Sequence, residues 1–265
     1  MTFTGFQQKL PEYEIVTPQT NQSFMVRSLT VQEEERLKGS LVTPQKITEH
    51  LNKCIYDVIN QIPEGISSFE DFMKSVTLRD REALLFGVHH ISYEEIRNYD
   101  VVCGNPRCGE SYSITTKASD TFTMNPYPYD DILKRRVNYQ LPVYQKVLVT
   151  LKQPTLKDEI AGLKNLGARP GTNNDQIITI LPICGIYEID DNGEPTQSFE
   201  EMEDILDAYK ALPSKDKKEI NKKYSEEFGQ YGIDLKVKAV CEHCGREQEV
   251  RIDIVDNFFS MVHSD

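Results

Sequence analysis

Cys103-Gly104-Asn105-Pro106-Arg107-Cys108-Gly109 and Cys241-Glu242-His243-Cys244-Gly245 are the two stretches on which the fold turns. The first is a C-x4-C and the second a C-x2-C, spacings at which two thiolates can share one tetrahedral zinc ion. Each demands a tight turn, supplied in the first by Gly104, Asn105 and Pro106. Gly109 and Gly245 directly follow the last cysteine of each pair, where a residue at positive φ lets backbone N–H groups approach the sulfurs. Between Cys108 and Cys241 lie 132 residues. A site made of Cys103, Cys108, Cys241 and Cys244 must therefore be assembled by tertiary folding, and its metal would staple distant segments together.

Four thiolates fill a tetrahedron and leave no position for water, so such a zinc is structural, not catalytic. His243 stands between the cysteines of the second pair, but its C-x-H spacing is poor for a ligand. The competing reading is of two unrelated thiol turns, or a redox pair of thioredoxin type. Against redox chemistry, Cys241 to Cys244 precedes a strand, not a helix whose N-terminus would lower a thiol pKa.

Working outward, Val101-Val102 lead into the first knuckle and residues 111–116 alternate behind it. Residues 233–239 and 250–254 do the same around the second, with the period of two that marks strands. The predicted fold class is α+β: a zinc-ribbon-like antiparallel β part built from residues 99–153 and 230–259. Residues 1–27 read as an extended arm ending in a strand at 23–27, residues 28–98 as a helical part, and 154–229 as a mainly helical insertion. Thr43-Pro44 pairs a cap with proline at the first helical position, before Ile47, Leu51, Cys54, Ile55 and Val58 at helical spacing. Ser68, Thr77 with Asp80, Thr155 with Asp158, and Ser198 with Glu201 mark further helix starts. Residues 143–151 read as a strand, Asp190-Asp191-Asn192-Gly193 as a turn, and 214–228 as one charged, solvated helix.

The two remaining cysteines, Cys54 and Cys184, fall in apolar stretches and read as small buried hydrophobes. His89 and His90 end a helix and, being adjacent, point to different faces, which suits packing better than metal binding. Loop 167–171 lacks the Lys-Ser/Thr of a phosphate loop, and the sequence has no G-x-G-x-x-G, G-x-S-x-G or H-E-x-x-H. Asp130-Asp131 and Asp190-Asp191 are turn residues by composition. No catalytic residue is predicted.

The chain has 265 residues, 38% of them apolar, and a net charge of −12. That length supports a substantial core, with about 70–75% of the unfolded surface buried. No apolar run reaches the roughly 20 residues that cross a bilayer, and the first residues lack the pattern of a secretory signal. The acidic balance repels a phosphate backbone, so no nucleic-acid partner is expected.

Taken in order, several segments carry a resemblance: Phe24-Met25-Val26-Arg27, the acidic run 30–35, the helix 78–85, and Val102-Cys103 with Cys108-Gly109. The last is Val240-Cys241-Glu242-His243-Cys244-Gly245 running on to Phe258-Phe259. This order resembles the baseplate hub subunit, or hub assembly chaperone, family of T-even-type contractile-tailed phages, over nearly the whole chain. The two extra residues in the first knuckle depart from that family's usual C-x2-C. The resemblance implies a non-enzymatic tail protein that helps build the hub. It implies other hub proteins and the tape-measure protein as partners, a place in the host cytoplasm during assembly and in the tail baseplate of the virion, and the four cysteines as knuckle ligands. The alternative is a zinc-ribbon adaptor that touches nucleic acid, which the charge disfavours.

Overall fold

The computed structural model describes residues 10–37, 43–93, 96–117, 120 and 122–251. Among these residues it has eight α-helices and twelve strands, and every strand pairing is antiparallel. The α+β class is as expected.

Strands β1 (Glu12–Val16), β2 (Ser23–Arg27) and β3 (Ile59–Gln61) form one sheet in that order. Where sequence reading expected a single strand in this region, Glu12–Val16 pairs with Ser23–Arg27 residue for residue. Ile15, Phe24 and Val26 are buried against helices α2 (Pro44–Asp57), α3 (Phe69–Ser75) and α4 (Leu78–Ser92). A short helix, α1 (Val31–Leu37), packs on α2. The cap at Thr43 accepts from the Lys46 N–H, that at Ser68 from Asp71, and that at Thr77 from Asp80 in a complete capping box. These satisfy backbone donors a helix start otherwise leaves open.

A second core lies under the sheet β10-β9-β8-β7, formed by β7 (Val137–Gln140), β8 (Val147–Leu151), β9 (Ile183–Ile189) and β10 (Pro195–Phe199). Helices α5 (Leu156–Leu166), α6 (Asn174–Ile180), α7 (Met202–Ala211) and α8 (Ser214–Tyr224) cover it. Helix α5 starts beside α4: Thr77 and Thr155 form a β-bridge, and the Leu156 N–H donates to the Val76 carbonyl at 3.0 Å. Leu78 packs against both cores.

Three local expectations are corrected. Residues 143–146 form a turn and β8 begins only at Val147, because the Val143 and Tyr144 N–H groups donate to Asp216 instead of a neighbouring strand. Ser198 lies within strand β10, which ends at Phe199, and α7 begins at Met202 with no side-chain cap. The charged helix stops at Tyr224 and widens into one π-turn over Ser225–Gly229, and its Asp216 is fully buried, not solvated. The turn at Asp190 to Gly193 joins β9 to β10 as expected, with Gly193 at φ +85°.

The first and second cores are linked by a buried polar knot. Asp80 accepts from the Gln19 N–H at 2.8 Å and the Thr20 hydroxyl at 2.9 Å. The Gln19 amide donates to the Phe228 and Tyr231 carbonyls at 3.1 and 2.9 Å and accepts from the Thr77 hydroxyl at 2.6 Å. Burial pushes the Asp80 carboxyl above its usual range, against the pull of these donors.

Candidate metal centre

Two hairpin-like units bring the cysteines together. Strands β4 (Ile96–Val102) and β5 (Ser111–Lys117) pair in register from Ile96 with Lys117 to Val102 with Ser111, and the first knuckle is the loop between them. Strands β11 (Gly232–Val240) and β12 (Glu247–Arg251) pair likewise around the second, and β11 also pairs with β6 (Phe122–Asn125). The sequence reading carried the last strand on to residue 254; residues 252–254, and Phe258-Phe259, lie outside the described residues.

Each ladder is closed by a bond across its knuckle: Cys103 N–H to Glu110 O at 2.9 Å, and Cys241 N–H to Arg246 O at 3.0 Å. Inside each turn, Cys108 and Gly109 donate to Asn105 O at 2.8 and 3.0 Å, and Gly245 donates to Cys241 O at 2.8 Å. Gly109 and Gly245 have φ of +63° and +70°, the left-handed conformation expected after each last cysteine.

This geometry brings together all four cysteines predicted as ligands. The sulfurs of Cys103, Cys108, Cys241 and Cys244 lie within 4.8 Å of one another, and no other cluster of three or more metal-ligating side chains occurs among the described residues. The shortest separations run between the knuckles, 3.6 Å from Cys103 to Cys244 and 3.8 Å from Cys108 to Cys241. All four are free thiols. Two thiolates on one tetrahedral zinc, with Zn–S near 2.3 Å, stand about 3.8 Å apart, so the donor set fits that ion in number, chemistry and spacing. His243 is exposed and stands outside the cluster.

The electrostatics point the same way. A backbone N–H at Arg246, with help from Asn105, pulls the Cys244 thiol down to about 6. At Cys108 the Glu110 backbone bond favours the thiolate, but desolvation and the neighbouring thiols outweigh it and push the group up to about 12. At Cys103 a bond from the Asn105 backbone favours the thiolate, but desolvation and the Cys244 and Cys241 thiols raise the group. Four thiolates so close repel one another and cannot all ionise alone, whereas a divalent cation among them removes the repulsion.

Residues that sequence reading missed support the sulfurs. Gln248, on β12, accepts from the Gly104 N–H at 2.8 Å and donates to Val102 O at 3.2 Å and to the Tyr112 hydroxyl at 3.1 Å. The Arg246 guanidinium donates to Gly104 O at 3.0 Å, and the Asn105 amide points at the Cys244 sulfur at 3.7 Å. The second hairpin thus grips the first knuckle. Behind the sulfurs, Val101, Tyr112 and Ala239 form a small buried cluster with Cys103 and Cys241. The signal in Gln248 is only its period-two register on a strand, and nothing in the sequence says what it faces.

The other cysteines stand apart. Cys54 is half-buried on α2, and burial pushes its thiol up to about 12, leaving it protonated. Cys184, also half-buried, donates to Thr150 O at 3.4 Å. His90 stacks on Phe86 and meets Tyr13 edge-on, and buried His89 packs against Tyr93.

A family model described as T4 bacteriophage base plate protein matches residues 10–260. No curated protein and no solved structure matches the chain.

Proposed function

The chain belongs to the T4 bacteriophage base plate protein family, and from that premise we propose that it acts at the baseplate hub as a non-enzymatic structural or assembly protein closed by one zinc ion. As a baseplate protein it has its place in the virion tail, among other baseplate components. No helix among the described residues is long and apolar enough to cross a membrane.

The zinc reading is carried by one observation: four cysteine sulfurs, two from each of two distant hairpins, gathered within 4.8 Å. Cys103, Cys108, Cys241 and Cys244 would hold the ion as thiolates. The metal supplies a cross-link with no open coordination position, and therefore no chemistry of its own. Its effect is to fasten the β4–β5 hairpin to the β11–β12 hairpin across the intervening chain that carries the second core. A rigid, stapled body suits a part that must hold its shape against neighbours. The hub assignment rests on the order of sequence motifs that ends in the second knuckle and Phe258-Phe259. It implies the other hub proteins and the tape-measure protein as partners.

Co-expression of the full chain with each hub protein and with the tape-measure protein of the same phage tests the assignment. A complex that survives size-exclusion chromatography is expected with at least one of them. A zinc-loaded chain that binds none of them, yet joins another baseplate protein, would refute the hub reading and leave the family intact.

A further inference from the structure

We propose that the tip of the β7–β8 hairpin and the start of α8 form a docking surface for a second copy of this chain, which presents its α1 helix. This goes beyond the hub reading and does not depend on it. At the tip, Val143 and Tyr144 are 45% and 48% exposed. Their backbone is nonetheless fixed. Both N–H groups donate to the two oxygens of buried Asp216, at 2.9 and 3.1 Å, the Val147 N–H closes onto Tyr144 O at 2.8 Å, and the Gln140 amide donates to Gln145 O at 2.5 Å. An exposed aromatic and an aliphatic side chain on a pre-ordered loop are the anchors that interfaces favour, because little freedom is lost on binding.

Helix α8, which starts at this tip, is basic although the chain is not. Lys215, Lys217 and Lys218 flank Asp216, and Lys217 is occupied by Lys210 O at 3.0 Å and by the Tyr209 ring. Lys215 and Lys218 are exposed and carry no ion pair. The matching chemistry lies elsewhere on the same molecule. Val31 is 72% exposed, and Glu34 and Glu35 follow it at the three- and four-residue spacing that places them on one helical face. Glu33 is engaged by Arg27, whereas Glu34 and Glu35 carry no ion pair. Since α1 packs on α2 and the β7–β8 hairpin belongs to the second core, the two patches are distinct surfaces. Joining them between copies gives a head-to-tail contact that closes into a ring or extends as a filament.

Sedimentation velocity of the zinc-loaded full chain tests this, over concentrations up to about 200 μM and at about 50 and 500 mM salt. Concentration-dependent association is expected at low salt, weakened about tenfold or more at high salt. Tyr144→Ala, Lys215→Glu with Lys218→Glu, and Glu34→Lys with Glu35→Lys should each weaken it at least about tenfold, with circular dichroism unchanged. Mixing the two charge-reversed proteins should restore it, because each then offers the other a complementary pair of patches. A chain monomeric at every concentration overturns the proposal. So does association that these variants leave unchanged, or a mixture of the reversed proteins that stays monomeric.

Discussion

The sulfur of Cys103 lies 3.6 Å from that of Cys244, although 141 positions separate them in the chain. Nothing else in the small cluster around them is large enough to hold two hairpins: its buried members are Val101, Cys103, Tyr112, Ala239 and Cys241. A metal is thus expected to supply much of the local stability, as it does in small domains with little core.

One zinc per chain is therefore expected by elemental analysis, with Cys54 and Cys184 the thiols left to titrate. Cobalt exchanged into the site should show thiolate-to-metal charge-transfer absorption. Cys103→Ser or Cys244→Ser should abolish it and strip hydrogen-exchange protection from β4, β5, β12 and the knuckle end of β11, while the start of β11, with Ile233 and Leu235 in the first core, and β8 and β9, in the second, keep theirs. A variant that retains stoichiometric zinc and full protection would contradict the four-cysteine site.

Two glycines separate backbone strain from steric crowding. At Gly245 (φ +70°) an added Cβ meets nothing within 4 Å, so Gly245→Ala tests the left-handed turn alone. It should cost about 1 kcal/mol and weaken metal retention. At Gly162 an added Cβ would approach Ile177 Cγ2 at 2.9 Å and Leu181 Cδ2 at 3.0 Å, pushing α5 off α6. Gly162→Ala should cost about 1–3 kcal/mol and leave zinc content untouched. Equal loss of zinc in both variants would mean that the two regions unfold together.

A buried ion pair joins three helices. Arg81 on α4 meets Glu159 on α5 through both nitrogens, at 2.5 and 3.1 Å, and Asn52 on α2 accepts from the same guanidinium at 3.2 Å. Their side chains are 11% and 7% exposed. Glu159→Ala leaves the guanidinium without its carboxylate and should destabilise by about 3–5 kcal/mol in urea titration, whereas replacing both residues with apolar ones of similar volume should cost far less. A double variant as unstable as the single one would show that the pair contributes more than mutual neutralisation.

Local chemistry made much of this readable in the sequence. The caps at Thr43, Thr77 and Thr155 act within one turn, so their signals are complete in four residues, and the knuckles carry their turn glycines beside their ligands. What escaped reading depends on partners far away. Asp216 looks like one more charge on a lysine-rich helix until the β7–β8 hairpin puts two N–H groups against it. Strand Glu12–Val16 has two glutamates in five residues, and only pairing with Ser23–Arg27 makes it a strand. Gln248 and Asn105 gain their roles across more than a hundred residues, once the two hairpins face each other. The π-turn at Ser225–Gly229 has no sequence signal that we recognise.

Acid should also weaken the contact at the start of α1. Glu33 is held by Arg27 through two bonds of 2.6 and 2.9 Å and accepts from the Thr30 N–H and hydroxyl, each at 2.9 Å. The Arg27 guanidinium above all, then the Thr30 donors, hold its carboxyl down to about 2, from the ordinary 4.5, against a smaller opposing effect of burial. Because the folded state releases this proton more readily than the unfolded state, the contact stabilises the fold fully above pH 4.5 and is lost as pH falls toward 2. Allowing for solvent screening at this partly exposed pair, the loss should be about 1–2 kcal/mol. Urea titrations of wild type and Glu33→Gln at pH 7, 4 and 3 read it directly: the variant should start less stable at pH 7 and the gap should narrow as pH falls. Metal release at low pH is common to both proteins and cancels in the difference. A gap that stays constant across this range would mean that the Arg27 contact does not depend on the charge of Glu33.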